Sequence, residues 1–136
     1  MIKFDSRYDA YAYRVGWFDI DDSVDSIEEG QYVKLNENKK IVLAGEGDSA
    51  AWMAIGSKRK GRNQVAGKCV KKIAFLHGAY CVSTDQVTGT ISPMEPLKVG
   101  AGGKLVKATL PADASKVVAW CLFQDVASGM TKILSA

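Results

Sequence analysis

His77 is the only histidine of this 136-residue chain, so any imidazole acid–base scheme rests on it alone. Three cysteines accompany it: Cys69, Cys81 and Cys121. A Cys–His dyad needs thiol and imidazole within hydrogen-bond reach, so that the ring can take the thiol proton. No spacing here brings one beside the other, and His77 precedes a Gly-Ala pair that reads as a turn. Cys81 follows His77 closely enough to suggest a metal pair. A structural zinc site needs a full tetrahedral ligand set, and the chain has no second histidine and no CxxC. The cysteines read as buried thiols of a protein in a reducing compartment.

The remaining motifs point the same way. Asp19, Asp21, Asp22 and Asp25 could together hold a cation. An EF-hand loop starting at Asp19 would need glycine and a carboxylate where Val24 and Gly30 stand. The glycine runs GEG and GAGG are not followed by Lys-Ser/Thr or by a helix start, so they build no phosphate cradle. No Gly-x-Ser-x-Gly elbow occurs. No catalytic residue, cofactor site or metal site is expected, and the chain reads as non-enzymatic.

Charge is unevenly distributed. The net charge is +3, yet residues 1–29 hold eight acids against three bases, while residues 49–84 hold seven bases and no acid. Those bases are Lys58, Arg59, Lys60, Arg62, Lys68, Lys71 and Lys72. Such a stripe suits phosphate or another anionic surface. It also suits the acidic arm of a neighbouring copy. A nucleic-acid barrel would add exposed aromatics for base stacking, and residues 56–72 contain none. Nucleic acid is therefore the weaker partner for the basic segment 58–72.

These residues must be carried by elements, and the elements read as β. With 47% hydrophobic and 24% charged residues, the composition suits one globular domain. No apolar run approaches the ~18–20 residues of a spanning helix, and MIKFDSRYDAYAY carries no signal-peptide pattern. No membrane association is expected. QYVKL and KIVLA alternate on either side of the turn NENKK, which is a hairpin signal. LKVGAGGKLVKATL repeats that form around Gly100–Gly103. AAWMAIGS has strand length, and GWFDI reads as a short aromatic strand. The segment 22–28 has room for a single helical turn. The prediction is an all-β barrel or sandwich of about eight to ten short strands. Its domain spans 30–136, and residues 1–29 form an acidic, tyrosine-rich, extended N-terminal arm.

The two hairpins hint at duplication. Leu35–Val42 and Val99–Val106 each read apolar, four turn residues, lysine, two apolars, at an offset of 64. Each is followed by a tryptophan-bearing apolar strand and then by a glycine and a basic strand. Two pseudo-repeated halves are one reading, and chance likeness of hairpins is the other. On either, Trp52 and Trp120 are expected to fill the core.

The same run of turns and strands resembles a known family. It comprises Gly30-Gln31-Tyr32-Val33-Lys34-Leu35, Ala54-Ile55-Gly56, Leu76-His77-Gly78-Ala79, Pro96 to Val106, Val118-Ala119-Trp120 and Gly129-Met130-Thr131-Lys132-Ile133. In this order it is similar to the small β-barrel decoration proteins (cement, or head-stabilisation, proteins) of tailed-bacteriophage capsids. The resemblance implies a structural protein made in the host cytoplasm and carried on the virion's capsid surface. Its partners would be the major capsid protein and neighbouring copies of itself, with homotrimers common in the class. Tail-tube and head-completion proteins offer an alternative virion role. Tyrosine gives large contact area at low entropy cost, so Arg7, Tyr8, Tyr11 and Tyr13 are candidate contacts, together with Lys58, Arg59, Lys60 and Arg62 of the basic loop.

Overall fold

The computed structural model describes residues 1–4, 12–58, 64–65, 68–69, 72–78 and 80–136; for residues 4, 12–17, 64–65, 68–69 and 78 it describes the backbone alone. In chain order the strands are β1 (Ile2–Phe4), β2 (Ala12–Asp19), β3 (Tyr32–Leu35), β4 (Ile41–Leu43), β5 (Trp52–Ile55), β6 (Gln64–Val65), β7 (Lys68–Cys69), β8 (Lys72–Gly78), β9 (Cys81–Thr84), β10 (Pro96–Val99), β11 (Leu105–Lys107), β12 (Val117–Asp125) and β13 (Met130–Ser135). Six form one sheet in the order β1-β9-β13-β12-β10-β11, five form a second in the order β2-β8-β5-β3-β4, and β6-β7 is a separate small pair. The strand pairings are all antiparallel. The fold is an all-β sandwich.

The main core lies between the sheets. Tyr32, Met53 and Leu76 come from the five-stranded sheet and meet Val82, Leu97, Val99, Leu105, Ala119, Cys121 and Ile133 from the six-stranded one. Because successive strand residues face opposite sides, the other side of the five-stranded sheet exposes Val33, Ala54, Ile73 and Phe75. Ile20, Val24 and Ile27 cover them and make a second core. Phe75 stacks between Phe18 and Trp52, at ring separations of 5.4 and 5.1 Å.

Both expected hairpins form, for local reasons. Asn36 Oδ1 accepts the N–H groups of Asn38 and Lys40 at 3.0 Å each, which closes the turn between β3 and β4. A 3-10 turn at Ala101–Gly103 joins β10 to β11. Gly103 there has φ +73°, and a Cβ would stand 2.6 Å from the Tyr32 carbonyl oxygen. Only glycine lets this tip approach the backbone of the opposite sheet.

The N-terminal residues differ from the expected arm. β1 pairs with β9, and β2 pairs with β8, so each sheet takes a strand from residues 1–29. Segment 20–29 is a strap with its apolar side chains inward. The predicted helical turn at 22–28 is instead a turn closed by Asp21, whose Oδ1 accepts Ser23 N–H and whose carbonyl accepts Val24 N–H. The boundary at residue 30 thus cuts through both sheets. The reason is Ile20, Val24 and Ile27, whose burial contributes roughly 1.5–3 kcal/mol each.

Each sheet contains one edge hairpin followed by a strand that pairs with the hairpin's first member: β4-β3-β5 and β11-β10-β12. The residues matched at the offset of 64 nevertheless face different ways. Leu35 packs against the second core, and Val99 lies in the main one. The tryptophans also depart from expectation. Trp52 packs beside the second core on the outer side of its sheet. Trp120 belongs to neither cluster: its strand neighbours Ala119 and Cys121 point inward, so the pleat sends the indole outward.

Candidate functional site

Of the contact residues expected from sequence, Arg7, Tyr8, Tyr11, Arg59, Lys60 and Arg62 lie outside the described residues. Tyr13 stands on β2 directly opposite His77 of β8. Lys58 is committed within the fold. Its Nζ donates to the Val24 carbonyl at 2.6 Å. Its N–H and C=O pair with Ile27 at 2.7 Å each. Lys72 Nζ also lies 3.9 Å from Asp19, both side chains exposed. The acidic lead and the basic middle therefore touch within one chain, as well as being charged to meet between copies.

Glu29 is a second tie that sequence reasoning missed. Its two carboxylate oxygens accept Ile2 N–H and Gly56 N–H, each at 3.0 Å, and so clamp β1 of one sheet to the end of β5 in the other. Partners so distant in sequence leave no local signal.

On the outer face of the six-stranded sheet Phe123 is 57% exposed and Leu134 39%, while Met94 and Val126, also exposed, stand in the turns before β10 and after β12. Register places Trp120 between Leu134 and Pro96, and Phe123 opposite Lys132. A bulge at Leu122 shifts the ladder between Cys121 and Phe123, which turns the strand and re-aims its side chains. Met94 donates its N–H to the Cys121 carbonyl at 2.7 Å and holds φ +67°, so a strained methionine stands beside the same strand. Single exposed apolar residues are ordinary, but contiguous ones mark interaction surfaces. The signal was present in VVAWCLFQD, which does not alternate: β12 is apolar on both faces.

The third feature is a cleft of about 270 Å3 at one end of the sandwich, where β5 begins and β8 and β13 end. Its wall includes Tyr32, Tyr80, Ser49, Ser135, Trp52 and His77. The Tyr32 and Tyr80 hydroxyls lie 2.7 Å apart, one donating to the other. Burial pushes Tyr80 up to about 12 and raises Tyr32 well above the usual phenol range, so both stay neutral. Ser135 Oγ accepts Tyr80 N–H at 2.9 Å. His77, expected in a turn, is the penultimate residue of β8; its exposed ring meets Trp52 edge-on at 6.3 Å. The second hollow, of about 450 Å3, shares Ser49 and Trp52 with this cleft and adds the Lys34–Asp48 ion pair at 2.7 Å.

Among the described side chains the structure brings neither Cys81 nor Cys121 to His77 as the dyad or the metal pair weighed from sequence would need, and the Cys69 side chain lies outside the described ones. Cys121 points into the core between the sheets, whereas His77 shares the outward side of β8 with Phe75. Cys81 and Cys121 sit on β9 and β12, the two strands flanking β13. That is about two strand spacings, too far for a disulfide. Among the described residues no three His, Cys, Asp or Glu side chains gather as metal ligands. No protein-family model, curated protein or solved structure compared with the chain matches it.

Proposed function

We propose that this chain is a non-enzymatic virion structural protein that binds the outer surface of an expanded phage capsid and stabilises it. The observation that carries this reading is the apolar outer face of the six-stranded sheet, centred on Trp120, Phe123 and Leu134. Aromatic and aliphatic anchors on a rigid sheet are what a protein–protein contact uses. The order of turns and strands described above supports the choice of a capsid as partner. Many equivalent sites on a shell let modest contacts add up.

The test is co-sedimentation of the protein with expanded, empty heads of its source phage, with naked DNA as control at low and moderate salt. Saturable binding to heads with none to DNA supports the reading. Phe123→Asp combined with Leu134→Asp is expected to weaken head binding at least about tenfold, the cost of losing a central anchor. It should change stability little, because both side chains are exposed. Binding to DNA alone, or head binding unaffected by the double substitution, overturns the proposal. Assembly into rings or tubes without heads would replace it with the tail-tube alternative.

A further inference from the structure

We propose that β2 is a self-association edge: the β2 strands of two copies pair antiparallel about a two-fold axis and join their five-stranded sheets into one. The inference stands on strand pairing and is separate from capsid binding.

Each of the two main sheets ends in two outer strands. An outer strand presents a row of backbone N–H and C=O groups that can pair with another chain. Three of the four are short and tied to other segments of the protein. β1 has three residues, and a Glu29 carboxylate oxygen takes the Ile2 N–H at 3.0 Å. β4 has three residues, and its Ile41 carbonyl accepts Asp21 N–H at 3.0 Å in a parallel bridge with the strap. β11 has three residues, and its Leu105 bridges to Val87. The Leu105 N–H donates to the Gln86 carbonyl at 3.0 Å, and the Leu105 carbonyl accepts Thr88 N–H at 2.8 Å. β2 is different. It has eight residues and, among the described residues, pairs with β8 alone.

The same comparison names the occupant. Strand addition draws its affinity from main-chain hydrogen bonds, so the partner must bring an unpaired strand of its own. In a solution of this chain, the open edge that matches β2 in length is β2 of a second copy. Pairing the two satisfies both edges at once. A contact of one patch with itself closes as a two-fold dimer and does not grow into a fibre.

Geometry then fixes the register. Residues directly opposite in an antiparallel ladder share a face of the sheet. A two-fold axis between identical strands therefore passes through a residue that faces its own copy. The ladder of β2 with β8 shifts between Val15 and Phe18, which leaves residues 12–15 as the regular run. Ala12 and Val15 end that run, so a centre at either leaves half of the ladder outside it. A centre at Arg14 sets two arginines opposite each other, which is destabilising. A centre at Tyr13 sets Tyr13 against itself and Ala12 against Arg14, with no like charges facing. So short a ladder makes a weak dimer that depends on concentration.

The experiment joins sedimentation to crosslinking, both on the full chain. Sedimentation equilibrium from about 10 μM to about 1 mM is expected to show dimers at the upper end. Phe123→Asp with Leu134→Asp should leave that equilibrium unchanged, because those residues belong to the other sheet. Oxidised Tyr13→Cys is expected to form a covalent dimer. Facing residues of an antiparallel pair have Cα atoms about 4.5–5.5 Å apart, within disulfide reach. Arg14→Cys should lose that crosslink, because its two copies stand two positions out of register, beyond about 7 Å. The parent chain, with Cys81 and Cys121 buried, is the control for native thiols. Melting curves confirm that each variant is folded. The proposal is overturned by any of three results. One is a monomer at every concentration, which would leave β2 to the strand of another protein. The others are equal crosslinking at positions 13 and 14, and loss of the dimer in the Phe123 and Leu134 double variant.

Discussion

The hydroxyls of Tyr32 and Tyr80 meet 2.7 Å apart inside the sandwich, one carried by the five-stranded sheet and the other by the residue that leads into β9. The pair is a polar link within a largely apolar core, and it makes each ring dependent on the other.

Tyr32→Phe leaves the Tyr80 hydroxyl buried without its partner, and is expected to cost about 1–3 kcal/mol. Replacing both by Phe should cost less than the sum of the single changes. Denaturant unfolding of the four proteins in a double-mutant cycle measures this. Strict additivity would show that the hydrogen bond contributes nothing.

The same pair predicts an alkaline limit. Both folded-state pKa values are raised, so the unfolded chain releases these protons first. Their contribution is complete below pH ~10 and falls as pH climbs from there through about 12. The doubly substituted protein should lose that part of the decline. Melting curves between pH 8 and pH ~11 read it out, and identical slopes would refute it.

Two adjacent glycines provide an internal control. Gly102 and Gly103 have φ of +67° and +73°. A Cβ at Gly102 meets nothing within 4 Å, whereas one at Gly103 would meet the Tyr32 backbone. Gly102→Ala should therefore cost about 1 kcal/mol from conformation alone, and Gly103→Ala at least about 3 kcal/mol. Equal unfolding midpoints would mean that the hairpin tip does not press on β3 as described.

Ile27 distinguishes a strap from a dispensable arm. Its side chain is fully buried in the second core. Ile27→Ala is expected to cost about 2–5 kcal/mol, measurable by urea unfolding. A variant as stable as the parent would return residues 20–29 to the status of an attached tail.

Asp113 is one of the carboxylates that contribute stability lost at the acid end. The Thr109 N–H at 2.8 Å and the Lys98 ammonium at 2.9 Å hold its carboxyl below the usual range. A lowered folded pKa gives stability that is present above pH ~4 and is lost as pH falls below it. Asp113→Asn should lower Tm at pH ~7, and the gap from the parent should narrow in acid. A gap that stays constant with pH would assign the loss to packing instead.

Much of the fold was legible where the cause is local. Asn36 closes its turn with its own side chain, and Gly103 marks the second hairpin by its composition. The strand character of AAWMAIGS was likewise readable, because its apolar run is too short for a helix. Residues 20–29 misled because Ile20, Val24 and Ile27 stand among acids with no strand period; only the sheet beneath them explains their spacing. Trp120 misled because composition names a core residue and register decides its face. The candidate surfaces were the least legible part. The cleft unites Ser49, His77, Tyr80 and Ser135, which share no motif and are brought together by the ends of four strands, β5, β8, β9 and β13.

The strand order also sets a timetable for folding. β9 pairs only with β1 and β13, near the two ends of the chain. The five-stranded sheet can be completed by residues 12–78, but the six-stranded sheet waits for β13 to be synthesised. Until then Val82 and Thr84, both fully buried in the finished protein, lack the strand that covers them. Folding that depends on such non-local strand pairing is slow, of order milliseconds to seconds. A ribosome-bound chain ending before residue 130 would carry an open sheet edge for as long as translation took to supply the last strand.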